Sequence, residues 1–156
     1  MATDDCYEPD RVPLIRLLND LLVMELALLQ TYDAATAGLR DGLMATQLRH
    51  FEVDHERHLI ELRSCVGALG GSPVADCRGT VSVSLSPVSA SLTSLIAMWS
   101  HEDEMARAYE NALERRMVLS APVVRRTLCD ILEDEQRHWA WLALRVEGHH
   151  RQQHLH

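Results

Sequence analysis

The sequence contains no lysine, no C-x-x-C pair and no long uncharged apolar run, and each absence excludes a class of protein. Without a run of about 18 apolar residues, no membrane-spanning helix is expected. The four cysteines stand apart along the chain and suit neither a zinc finger nor a cysteine-ligated iron site. They are Cys6, Cys65, Cys77 and Cys129. The acidic N-terminal segment 1–10 has no basic region followed by an apolar region, so we expect no secretory signal and predict a cytoplasmic location.

Basic charge is also scarce, because all 15 basic residues are arginine and the formal net charge is -8. An acidic chain is poorly suited to bind nucleic acid, which attracts basic surfaces. Arginine without lysine is typical of a bacterium with a GC-rich genome. The length of 156 residues suits one domain, 1–156, with a sizeable core.

Four long segments have the apolar spacing and the end signals of helices. Their predicted spans are about 13–39, 43–69, 87–119 and 121–147, with a polar, histidine-rich tail over 148–156. Ser86-Pro87 and Ala121-Pro122 provide proline at a first helical position. The sequence therefore predicts an all-α protein, an antiparallel four-helix bundle.

The links between the predicted helices differ in length. The first and third links are short, so each joins two helices into an antiparallel hairpin. The second link, about 70–86, is rich in Gly, Pro and Ser and contains an alternating stretch, 80–85, that predicts an extended segment. Two helical hairpins joined by one long crossover are the expected topology.

The two predicted hairpins resemble each other in sequence. Glu25 precedes a tyrosine by seven residues, and so does Glu102. The run Asp-His-Glu-Arg-His at 54–58 aligns without a gap with Asp-Glu-Gln-Arg-His at 134–138. An internal repeat of this kind predicts a pseudo-twofold axis, on which a site for two metal ions can be built.

Ionisable residues interrupt the apolar face of every predicted helix. At about 100° per residue, Glu25 lies in the middle of a leucine stripe, and Glu102 has the same position on the third helix. His55 and His58 lie on the apolar side of the second helix, and Glu135 and His138 on that of the fourth. Because a buried unpaired charge is costly, a shared cation is the simplest explanation for so many groups in one core.

Each of these residues has a less specific interpretation when it is taken alone. A single glutamate on an apolar stripe is more often paired with a base, and a single core histidine is more often only hydrogen-bonded. The paired positions in an internal repeat favour metal binding over these readings. A polar network in a metal-free bundle is the alternative that stays open.

The pattern resembles that of the ferritin-like di-iron superfamily, and within it the rubrerythrin-like members, which include small bacterial stress-linked bundles. The superfamily's pattern is Glu on the first and third helices and Glu-x-x-His on the second and fourth. The resemblance covers the chain from about Pro13 to Glu147. Glu25, Glu102 and Glu135 with His138 match it directly.

The second helix departs from that pattern and leaves two registers open. In the gap-free alignment, His58 takes the histidine position and His55 stands where the family has glutamate. In the other register, Glu52 and His55 form the Glu-x-x-His pair one turn earlier. The first register gives a predicted ligand set of three carboxylates and three imidazoles, with Glu52 as the alternative ligand.

The resemblance implies a non-haem metal protein with two iron ions, or with manganese or zinc in their place. Its implied activity is oxidation of ferrous iron, or reduction of peroxide or oxygen, with a separate electron donor. A homodimer is the default assembly. Two alternatives compete: a non-enzymatic metal-binding or stress-protective bundle, and a metal-free helical scaffold. The histidine at position 55 favours the non-enzymatic alternative, because it removes one bridging carboxylate.

Overall fold

Leucine-rich stripes at helical spacing produce the helices of the chain. The computed structural model describes residues 8–36, 42–75 and 92–153. Five helices occur in these ranges, and no strand does. They are α1 (Glu8–Thr36), α2 (Gly42–Ala68), α3 (Leu92–Leu113), α4 (Arg116–Leu119) and α5 (Pro122–Gln153). The all-α prediction is confirmed, whereas the predicted extended stretch 80–85 lies outside the described residues.

The four long helices form a bundle in which α1 and α5 each pack against both α2 and α3. Near the start of α1, Asn19 Oδ1 accepts a hydrogen bond of 2.8 Å from the backbone N–H of Val74, just beyond α2. At the end of α1, Thr36 donates to Glu52 in the first half of α2. The two helices are therefore antiparallel.

The same reasoning orients α3 relative to α1. Tyr32, late in α1, hydrogen-bonds Glu102 in α3, and Tyr109, later in α3, hydrogen-bonds Glu25, earlier in α1. Helices α1 and α3 are thus antiparallel, so α2 and α3 point in the same direction. The connection between them must join opposite ends of the bundle, as the prediction of one long crossover requires.

The C-terminal end of α2 follows the glycine signal in the sequence. Gly70 has φ of 71°, the left-handed conformation that glycine adopts without strain. The N–H of Gly71 bonds the carbonyl of Val66, and the N–H of Gly70 bonds that of Gly67, which closes the helix end. A Cβ on Gly71 would lie 2.8 Å from Ile15, so the absence of a side chain also lets α1 approach.

The third predicted helix, 87–119, is wrong at its C-terminal end, because α3 stops at Leu113 and α4 follows after a break. Arg115 is extended, with φ of -70° and ψ of 133°. In an uninterrupted helix Val118 would lie about 180° from the buried Tyr109, on the solvent side. The break turns Val118 into the core, where it is fully buried. The predicted start, 87–91, lies outside the described residues.

The outer ends of the first and last helices also differ from the prediction. Helix α1 begins at Glu8 rather than at Pro13, so Pro13 lies inside the helix, where a proline removes one backbone hydrogen bond at a cost of about 3 kcal/mol. Helix α5 continues through Gly148 to Gln153, so most of the predicted tail 148–156 is helical. Gly148 costs only about 1 kcal/mol relative to alanine in a helix. None of the described helices has the length and apolar content to cross a membrane.

Candidate metal centre

Six ionisable side chains meet in the middle of the bundle, and all six are fully buried. They are the six predicted from the sequence: Glu25 on α1, His55 and His58 on α2, Glu102 on α3, and Glu135 and His138 on α5. Each lies in mid-helix on the apolar stripe that directs it inward. We call this set the core cluster.

The core cluster divides into two overlapping groups of four residues. Glu25, His55, His58 and Glu135 offer ligand atoms that all lie within 4.8 Å of one another. His55, Glu102, Glu135 and His138 form the second group at the same spacing. Each group draws on three helices, and His55 and Glu135 belong to both groups.

His55 occupies the centre of the core cluster and faces both groups. Its Nδ1 lies 2.9 Å from Glu25 Oε2, and its Nε2 lies 3.3 Å from Glu102 Oε1. Glu135 Oε1 is 3.5 Å from the same Nδ1. The ring thus presents opposite nitrogens to the carboxylates of α1 and α3.

Two tyrosines hold the outer carboxylates across the pseudo-twofold axis. Tyr109 donates a hydrogen bond of 2.6 Å to Glu25 Oε1. Tyr32 donates its hydroxyl to Glu102 Oε1. Both tyrosines are fully buried. Each therefore fixes the position of one carboxylate of the core cluster.

Two aspartates orient the outer histidines in the same crossed manner. His58 Nε2 lies 3.2 Å from Asp134 Oδ2, and His138 Nε2 lies 3.1 Å from Asp54 Oδ2. Arg57 contacts both aspartates. A carboxylate on Nε2 fixes the ring so that Nδ1 is the acceptor, which is how histidine ligands of metals are commonly held.

Sequence reasoning aligned these two aspartates but assigned them no role. Asp54 and Asp134 open the two matched runs, one position before His55 and Glu135. Their positions at the edge of the helical stripe make them look like solvated residues. The signal that identifies them is their occurrence at the same place in both halves, each four residues before a histidine of the site.

Several atoms of the core cluster lack the hydrogen bonds that burial demands. Within the described part of the chain, Nδ1 of His58 and His138, Oε2 of Glu102 and both oxygens of Glu135 make none. His58 Nδ1 lies 3.1 Å from Glu135 Oε1, but without the geometry of a hydrogen bond. Buried nitrogen and oxygen acceptors that converge without donors are a suitable ligand set for cations.

The charges of the core cluster compensate one another only in part. Burial opposes ionisation of Glu25, but hydrogen bonds and charge from His55 and His58 lower its pKa to about 2. Burial likewise opposes ionisation of Glu102, but hydrogen bonds with His138 and His55 outweigh it and hold the pKa of Glu102 well below its usual range. Burial disfavours the charged form of His55, yet its bonds to Glu102 and Glu25 raise its pKa to about 10. A protonated His55 between two carboxylates follows.

Glu135, unlike Glu25 and Glu102, does not have its pKa lowered by the histidines. Burial, together with the negative charges of Glu25 and Glu102, raises its pKa well above the usual range. The protein alone therefore favours the protonated form of Glu135. A cation in contact with its oxygens would reverse that balance, since positive charge favours the carboxylate form.

Glu52, the alternative ligand of α2, lies outside both groups. Its Oε1 accepts a hydrogen bond of 2.8 Å from Thr36, and its side chain is partly exposed. His58 takes part in the first group instead. The arrangement thus favours the register in which His55 and His58, rather than Glu52 and His55, belong to the site.

The cysteines of the described residues lie apart from the core cluster. Cys65 is buried, with its Sγ 3.8 Å from Thr127 Oγ1, and Cys129 is partly buried. The other two cysteines and the last three residues of the tail lie outside the described residues.

Comparison with known families gives one match, and it covers most of the chain. The pattern of a family described as ferritin-like domain matches residues 15–147. No curated protein shows significant similarity to the chain. The matched span contains all six members of the core cluster.

Solved structures share the fold at low sequence identity. A bacterioferritin from Desulfovibrio desulfuricans, described with a di-iron site, is 23% identical with a TM-score of 0.76; the match covers 90% of this chain and 81% of that one. A ferritin-like di-iron-carboxylate protein from Bacillus anthracis is 21% identical with a TM-score of 0.73, and the coverages are 88% and 97%.

A larger protein contains a similar bundle as one of its parts. It is a two-domain protein from Anabaena variabilis with DJ-1/ThiJ/PfpI-like and ferritin-like domains, 14% identical with a TM-score of 0.70. The match covers 90% of this chain but only 38% of that protein.

Proposed function

The chain belongs to the ferritin-like domain family, and from that premise we propose that its core cluster binds two iron ions. One ion is assigned to each group of four residues, with His55 and Glu135 common to both. The observation that carries the proposal is the convergence of buried nitrogen and oxygen atoms that lack hydrogen-bond donors.

The residues of the core cluster fit this role by their chemistry. Imidazole and carboxylate together suit iron, and the same set accepts manganese or zinc. Bound iron would supply one-electron redox chemistry at the centre of the bundle. Tyr32 and Tyr109 would hold Glu102 and Glu25 in place, and Asp134 would hold His58 with Nδ1 directed inward.

The activity we propose is oxidation of ferrous iron, with oxygen or peroxide as the electron acceptor. Two ferrous ions would supply two electrons, which with two protons from solvent would reduce oxygen to hydrogen peroxide, or hydrogen peroxide to two water molecules. Two solved relatives are described as di-iron proteins, which supports iron over the other metals. The predicted separate electron donor and the homodimer remain predictions.

A second candidate is a non-enzymatic metal-binding bundle with a protective role. The observation that favours it is His55, which stands where a carboxylate bridge would otherwise be. With one carboxylate fewer, the core cluster carries less negative charge to stabilise oxidised iron. Both candidates predict the same metal content, and they differ in whether the protein catalyses the oxidation of ferrous iron.

The test is the metal content of the purified protein, measured by mass spectrometry beside a Glu25→Gln, Glu102→Gln double variant. We expect about two iron ions per chain in the wild type, from the two groups of ligands. Each substitution removes a charged ligand from one group while conserving side-chain volume, so both ions should be lost. An oxygen-consumption assay with added ferrous iron then separates the two candidates.

The control is a Glu56→Gln, Glu104→Gln double variant, which changes one exposed glutamate of α2 and one of α3. In all three proteins the tail histidines are replaced by alanine, so that they bind no adventitious metal. These are His149, His150, His154 and His156. Metal-free wild type, even after reconstitution with ferrous iron, would refute the proposal and leave the metal-free scaffold.

A further inference from the structure

His55 differs from the other members of the core cluster because its two ring nitrogens face different groups. Nδ1 lies 2.9 Å from Glu25 in the first group, and Nε2 lies 3.3 Å from Glu102 in the second. The outer histidines do not share this arrangement, since each has its Nε2 on an aspartate and only Nδ1 directed inward.

The position of His55 in the repeat makes it the counterpart of Glu135. The gap-free alignment of 54–58 with 134–138 pairs these two residues, and both belong to both groups. The pseudo-twofold axis therefore passes between one imidazole and one carboxylate. The two halves of the site therefore differ at the position that lies between the two groups: one half has an imidazole there, and the other has a carboxylate.

We propose that His55 bridges the two ions through its ring, with Nδ1 on the ion held by Glu25 and His58 and Nε2 on the ion held by Glu102 and His138. This inference rests on the proposed function. The nitrogens of an imidazole point away from each other, so one ion cannot bind both. A ring nitrogen in each group places one ion on each side of the ring.

The bridge has a defined proton balance and no change of oxidation state. Both ring nitrogens coordinate only when the ring has lost both N–H protons. Two metal–nitrogen bonds form, two N–H bonds break, and the protons pass to water. The ring that hydrogen-bonds Glu25 and Glu102 in the protein alone thus becomes the link between the ions.

An imidazole bridge predicts a longer separation of the ions than a carboxylate bridge does. With metal–nitrogen bonds of about 2.0–2.1 Å on both sides of the ring, the ions lie about 6 Å apart. Carboxylate-bridged pairs are about 3.5–4 Å apart, so at the longer separation Glu135, although it lies within reach of both groups, would bind a single ion. The difference is large enough to measure directly.

The test is anomalous diffraction from crystals of the full chain loaded with Zn²⁺, and separately with Fe²⁺ without oxygen. We expect two peaks per chain about 6 Å apart on either side of the His55 ring. In a His55→Glu variant, which restores the carboxylate, the peaks should approach to about 3.5–4 Å. His50→Glu, the same substitution at an exposed position of α2, should keep the wild-type separation.

The outcomes separate this inference from the function on which it rests. Two wild-type peaks about 3.5–4 Å apart would overturn the imidazole bridge and leave two-metal binding intact. A single peak that contacts His55 through one nitrogen would overturn the bridge and the second ion. No peak at the core cluster with either metal would overturn the proposed function itself. The wild-type crystals decide the matter even if His55→Glu does not fold.

Discussion

Tyr109 of α3 donates a hydrogen bond of 2.6 Å to Glu25 of α1, and the contact crosses the pseudo-twofold axis of the bundle. Its counterpart is the bond from Tyr32 to Glu102. Each tyrosine therefore hydrogen-bonds the outer carboxylate of one group. The two halves of the site can be weakened separately.

Tyr109→Phe should lower the affinity for one of two metal equivalents by about tenfold, because partners that orient a ligand typically contribute 10–100-fold. Zinc titration by calorimetry measures the two equivalents. Tyr32→Phe is the mirror-image variant and should weaken the other equivalent. The double variant should weaken both, and equal effects of each single variant on both equivalents would contradict the assignment of one tyrosine to each group.

Asp134→Asn should lower metal affinity by roughly 10–100-fold, because the neutral amide no longer favours the inward-facing acceptor on His58. The variant keeps the size of the side chain while removing its charge. A competition assay with a coloured chelator measures the loss. Asp130→Asn, one turn earlier on α5 and exposed, serves as the matched control. Asp134 also forms ion pairs with Arg57 and Arg137, and equal affinities of the two variants would mean that it serves only these contacts.

The core cluster could be predicted from the sequence because its ionisable residues stand at positions where the helical spacing calls for apolar residues. Glu25 and Glu102 lie in mid-helix on apolar stripes, and the internal repeat pairs His55 with Glu135 and His58 with His138. The roles of Asp54 and Asp134 could not be predicted in the same way. A carboxylate at the edge of a stripe has the same sequence pattern whether it faces water or a histidine.

The break between α3 and α4 could not be predicted, since no glycine or proline marks it. Its cause is tertiary: Val118 reaches the core only if the helix is interrupted near Arg115. Local propensity cannot reveal a preference that depends on packing against α1 and α5.

Val118→Ala should therefore destabilise the protein by about 2 kcal/mol, the usual scale for removing two buried methyl groups. Thermal or urea unfolding of the metal-free protein measures the change. Val123→Ala, early in α5, is the matched control because Val123 is 60% exposed and should lose less than about 0.5 kcal/mol. A loss for Val118→Ala no larger than that of the control would mean that the break does not serve to bury this side chain.

The metal-free protein should lose stability as the pH rises from about 6.5 to about 10. His55 has its pKa raised from 6.5 to about 10 by its bonds to Glu102 and Glu25, against the effect of burial. A raised pKa means that the folded state binds the proton more tightly, so the stabilisation is complete below pH 6.5 and disappears toward pH 10. Glu135, whose pKa is also raised, acts in the same direction.

The measurement is the midpoint of thermal unfolding in chelator across that range. His55→Gln should flatten the decline, while His50→Gln, an exposed histidine of the same helix, should leave it unchanged. At the acid end, Glu25 acts with the opposite sign: its pKa of about 2 implies stability that is lost as the pH falls from about 4.5 to about 2. Equal alkaline slopes in wild type and His55→Gln would mean that no protonated imidazole compensates the buried carboxylates in the absence of metal.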